Sequence, residues 1–133
     1  MPHSLIARSI YNKWVDAMIC PKNDVQKVLE LYHEHAILLP TFSPAICTNH
    51  NQLHSYFKNL ISLPTLTITT EEFLAIESEA ALVASGLYTF QYTSGEKLVT
   101  IPARFTFVYK KFNGEWLIVN HHSSVLPVQA TSF

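Results

Sequence analysis

Beyond Pro64 the chain carries four long runs in which β-branched and aromatic residues alternate, at 66–76, 81–92, 98–111 and 116–125; before Pro64 the apolar residues repeat at helical spacing instead. This segregation constrains the fold more than any other feature. Helices that precede a meander, rather than alternating with strands, indicate an α+β architecture and exclude a doubly wound parallel sheet. Ile6, Ile10, Trp14, Ala17 and Met18 form the stripe of a first helix that Pro21 stops. Asn23 or Asp24 caps a second, with Val25, Val28, Leu29 and Tyr32 on its buried face and an end expected near His35. After a short apolar run at 36–39, the segment 41–49 (TFSPAICTN) reads as a turn and a short edge strand. Asn49 then caps a third helix whose stripe is Leu53, Tyr56, Phe57, Leu60 and Ile61.

Composition narrows the partners. At 133 residues the chain suits one domain spanning 1–133. Hydrophobic residues make up 48% and charged residues 14%, against roughly a quarter charged in an average soluble domain, which excludes disorder. Nine Lys and Arg against ten Asp and Glu, nowhere clustered, leave no field to hold a phosphate backbone, so nucleic acid is not an expected partner. No run reaches the roughly 20 apolar residues of a membrane helix, and the N-terminus lacks a secretory signal. A cytoplasmic location is expected, with Cys20 and Cys47 as free thiols. So few charges leave apolar surface over, and on a soluble protein such surface marks partners; an oligomer is expected.

The last hairpin decides which residues share a face, because one residue more or less in its turn flips one strand against the other. A two-residue turn at Asn113-Gly114 pairs Phe112 with Glu115 and puts Phe105, Phe107, Trp116 and Asn120 together. A three-residue loop, with Gly114 left-handed, pairs Lys111 with Glu115 and sorts the residues better. It gathers Phe105, Phe107, Tyr109, Leu117, Val119, His121 and Ser123 on one face, and Arg104, Thr106, Val108, Trp116, Ile118, Asn120 and His122 on the other. The first set turns polar only at His121 and Ser123, where a ligand pocket is expected to open.

Trp14, the segments AILLPTFSP and SGLYTFQY, and above all IPARFTFVYKKFNGEWLIVNHHSSVLP resemble bacterial relatives of the association domain of calcium/calmodulin-dependent protein kinase II. The resemblance implies an NTF2-like, SnoaL-like cone: three N-terminal helices packed on a strongly curved, mainly antiparallel sheet, with a pocket at the wide end and dimers formed through the sheet. It also places Phe107, Ser123 and Leu87 where the kinase hub carries pocket arginines, so that basic pocket is not reproduced. The isomerase and cyclase branches resemble the chain only in order of elements, and Glu71 and Glu72 are the sole acidic residues within a strand's central pattern.

His50 and His54 stand at i, i+4, yet no third ligand accompanies them, and the neighbours His121 and His122 point to opposite faces; no metal or other cofactor is expected. There is no GxSxG, and three glycines in all exclude phosphate-cradling loops. His121 is the candidate general base, against the plainer alternative of a ring satisfied by Ser123 or a helix backbone. A small apolar ligand would find walls in Trp14, Tyr32, Tyr56, Phe105 and Phe107 and polar contacts in His121 and Ser123. Arg104, Thr106, Trp116, Asn120 and His122 form the expected dimer interface. The leading expectation is a non-catalytic module for oligomerisation and small-ligand binding; an isomerase- or cyclase-type enzyme using His121 and a protein-association adaptor are the alternatives.

Overall fold

In the computed structural model, which describes residues 2–128 (side chains from residue 6), three helices precede a five-stranded sheet, except that one strand joins from between the helices. Helix α1 spans Pro2–Met18, α2 Val25–Leu29, and α3 His50–Ile61. Strand β1 is Tyr32–Leu39, β2 Thr67–Glu77, β3 Leu82–Ser94, β4 Lys97–Phe112 and β5 Glu115–Val125. The order across the sheet is β1-β5-β4-β3-β2, antiparallel throughout except for β1, which runs parallel to β5.

Both capping expectations hold. The Asp24 side chain accepts from the Gln26 amide at 3.1 Å and the Asn49 side chain from the Gln52 amide at 2.9 Å, satisfying donors that a helix start leaves bare. The second helix is shorter than the sequence suggests: it ends at Leu29 rather than near His35, and Tyr32 to His35 open β1. Tyr32 follows Val28 by four positions, which fits a helix, but Tyr32, Ala36 and Leu38 fit strand alternation equally, and pairing with β5 decides. The edge strand expected in 41–49 contracts to one bridge, with Leu38 and Cys47 exchanging both backbone hydrogen bonds at 2.9 Å.

The hairpin turn corrects the preferred register. Asn113 (φ 51°) and Gly114 (φ 85°) form a two-residue turn with both central residues left-handed, and Phe112 pairs with Glu115. The register then slips at one extra residue: Tyr109 faces Ile118 while Val108 faces Asn120, leaving Val119 as a bulge. Beyond it Phe107 pairs with His121 and Phe105 with Ser123. The far half therefore has the faces expected of the longer loop, whereas near the turn Ile118 is the buried residue and Leu117 and Val119 are half-buried. A second bulge at Glu71 in β2, where Thr70 faces Tyr88 and Glu72 faces Leu87, adds to the curl of the sheet.

Inside that curl lies an aromatic core. Tyr11 stacks on Phe105 (5.2 Å between centroids), Trp14 meets Phe107 edge-on (5.1 Å) and lies over Tyr88 (5.7 Å), and Phe57 packs on Tyr32 (5.3 Å). Pairs of this kind contribute about 0.5–1.5 kcal/mol each beyond area burial. Gly86 permits the close approach of β2 to β3 beside the Glu71 bulge, since a Cβ there would sit 1.9 Å from the Glu72 carbonyl oxygen.

Candidate functional site

The polar residues expected at the cone's rim lie instead deep within it. His121 is 2% and Ser123 5% exposed. A directed chain of hydrogen bonds runs through them. Trp14 Nε1 donates to the Tyr32 hydroxyl at 3.0 Å. An indole can only donate, so Tyr32 keeps its own proton for His121 Nδ1, 2.8 Å away. A neutral imidazole that accepts at Nδ1 carries its proton on Nε2, which faces the Tyr88 hydroxyl at 3.2 Å. Tyr88 donates in turn to Ser123 Oγ at 2.6 Å, and Ser123 meets the Thr41 hydroxyl. Tyr56 closes the outer end by donating to the Thr41 carbonyl at 2.6 Å.

Burial sets the charge state. Removal from water pushes the His121 pKa down to about 3, with a smaller contribution from the neighbouring His122, and the ring stays neutral at physiological pH. Burial likewise holds the Tyr32 and Tyr88 hydroxyls well above their ordinary range. The ring of His121 stacks on Phe107 at 3.8 Å and meets Trp14 edge-on at 5.4 Å. With both nitrogens occupied and its faces covered, His121 lacks the access to a substrate proton that a general base needs.

The structure thus packs Trp14, Tyr32, Phe105, Phe107 and His121 against one another as interior rather than as walls of an open pocket, and of the expected group Ser123 and Tyr56 border surface depressions. Tyr56 stands apart, half-buried beside a surface groove. Two members of the network, Tyr88 and Thr41, are not among the site residues expected from the sequence. Tyr88 had a signal, since Leu82, Ala84, Tyr88 and Phe90 are the buried alternates of β3; Thr41, in an irregular loop, had none.

The other face carries the expected interface residues, with one correction. Thr106 pairs with His122 and Arg104 with Ser124 on the outer side, while Asn120 follows the Val119 bulge onto the same side. Trp116 does not join them. It shares the side of Ile118, packs against the core and lies under the Lys111 ammonium at 5.5 Å, because the two-residue turn reverses the faces between turn and bulge. Among the described residues no three His, Cys, Asp or Glu side chains converge to hold a metal; His50 Nε2 donates to the His33 carbonyl at 3.1 Å. No described helix is long and apolar enough to cross a membrane.

Comparison with known proteins agrees with this geometry. Among solved structures, the chain is similar to a Xanthomonas campestris protein assigned to the calcium/calmodulin dependent protein kinase II association domain: 31% identity, TM-score 0.83, covering 91% of this chain and 86% of that one. The hub homology domain of the Chlamydomonas reinhardtii kinase superposes with TM-score 0.74 at 17% identity over 96% of this chain and 100% of that one. A Streptomyces avermitilis protein described as a dehydratase of the NTF2-like family shares the fold alone, with TM-score 0.80 at 10% identity over 92% and 94% of the two chains. No curated protein matches the sequence. Residues 6–127 match the calcium/calmodulin dependent protein kinase II association domain family, and the chain belongs to that family, in its NTF2-like, cystatin-like α+β fold.

Proposed function

We propose that the protein is a non-catalytic association module that pairs with a second copy of itself through the outer face of its sheet. One observation carries the reading. The strand registers lay two rows across all five strands, Ile76, Val83, Val108, Asn120 and Ile37 in one, Leu74, Ser85, Thr106, His122 and Leu39 in the next. Neither row contains Asp, Glu, Lys or Arg. Leu74 and Ile76 are 62% and 76% exposed, and an uncharged strip with large aliphatic side chains left in solvent is what an isologous contact covers. The third row, Glu72, Leu87, Arg104 and Ser124, supplies one charge of each sign at its border, as an interface rim does. Kinship with association and hub domains supports the same role, and the filled interior supports scaffolding over catalysis by His121 or ligand storage within the cone.

Light scattering coupled to size exclusion tests it. The wild type is expected at twice the chain mass, with Ile76→Asp and Thr106→Arg at the mass of one chain and with unchanged circular dichroism. A wild type that stays monomeric at tens of micromolar overturns the reading; a wild type that associates only when another protein is added turns it into an adaptor.

A further inference from the structure

A groove of about 680 Å³ runs between α3 and the loop that follows β1, within the range of small-molecule sites and separate from the outer-face rows. Its apolar side is built from Phe42, Ile46, Leu60, Leu63 and Tyr92. Its polar side is a strip of uncharged groups one helical turn apart, Asn51, Ser55 and Asn59. Among the described residues no Asp, Glu, Lys, Arg or His lines it, and burial pushes the thiol of Cys47 in its lining up, so the site stays neutral.

Two observations mark this groove as more than surface relief. Phe42 and Ile46 are 47% and 54% exposed, large apolar side chains of the groove's lining left facing solvent. Phe42 also holds a left-handed backbone (φ 75°), a conformation that bulky residues avoid and that persists where the surroundings impose it. The neighbouring Thr41 is tied by its carbonyl to Tyr56 and by its hydroxyl to Ser123, and the Phe42 ring meets Phe90 edge-on at 5.7 Å. The loop is therefore anchored from below while its apolar side chains remain uncovered.

We propose that this groove binds an uncharged amphiphile, an aliphatic or aromatic body lying on Phe42 and Ile46 with one hydroxyl, carbonyl or N–H group turned to the amides of α3. A charged ligand would lose its hydration here without gaining a counter-ion, which disfavours it.

Fluorescence titration with N-phenyl-1-naphthylamine, a neutral probe with a single N–H, tests the site. Saturable binding at one probe per chain is expected, weakened at least tenfold by Ser55→Trp, which fills the groove from an exposed helix position, and by Ile46→Glu, which places a charge in it. Displacement at pH 7.5 by 1-decanol should need at least tenfold less competitor than displacement by decanoate. Non-saturable probe uptake, equal binding by folded Ser55→Trp or Ile46→Glu, or decanoate competing as well as decanol would each overturn the proposal.

Discussion

The two faces of one sheet, made from alternate residues of the same strands, meet opposite fates. The concave face closes on α1 and α3 until Trp14, Tyr88 and Phe107 lose essentially all contact with water, and every polar atom of His121 and Ser123 finds a partner inside. The convex face keeps Leu74, Ile76 and Ile37 in solvent, with Glu72 and Arg104 beyond one end of its uncharged rows and Lys110 beyond the other. The difference teaches that sparse charge in this chain is distributed by side: stability is drawn from one face, and the capacity for contact is left on the other.

The sharpest way to break the contrast is to hollow the inner face. Trp14→Ala removes four ring contacts and the donor that orients Tyr32, and chemical denaturation should show a loss of about 3–5 kcal/mol. Tyr88→Phe keeps the volume but strands the Nε2 proton of His121 and removes the donor to Ser123, which should cost about 1–3 kcal/mol by the same measurement. Acid probes the same network without mutation. His121 is neutral in the folded chain and would take a proton near pH 6.5 when unfolded, so stability should be complete above 6.5. It should then fall by up to about 1.4 kcal/mol per pH unit down to about pH 3, a slope that His121→Gln should flatten. Tyr109, on the same concave face, has a buried hydroxyl with no hydrogen-bond partner among the described residues; Tyr109→Phe should be neutral or stabilising by about 1 kcal/mol, opposite in sign to Tyr88→Phe. Smallest in folding energy is Arg104→Glu on the convex side. Thermal unfolding of the isolated chain should change by less than about 0.5 kcal/mol, while the dimer expected in light scattering weakens.

Local chemistry was legible wherever a residue type and its spacing suffice. Asn49 announces α3, and the Thr93-Ser94-Gly95-Glu96 and Asn113-Gly114 turns announce hairpins because left-handed backbone favours those residues. Most of the packed interior was legible too, as Trp14, Phe105, Phe107 and His121 fall on facing stripes. The buried state of His121 was not, since the same ring at the same strand position serves as rim or as core depending on whether Tyr32 and Tyr88 reach its two nitrogens from other strands. Nor was the side of Trp116, which hangs on whether Val119 bulges.

By itself, then, the sequence determined the α+β order, the helix starts, the two tight turns and the alternation that gives each strand two unlike faces. Only the tertiary structure decided that residues 32–35 extend beside β5, that the extra residue is absorbed at Val119 rather than in the turn, and that the cone is filled. The reason is physical. Caps and turns are settled by contacts within a few residues, whereas register, bulges and the fate of a buried imidazole are settled by partners as far as 89 residues away along the chain.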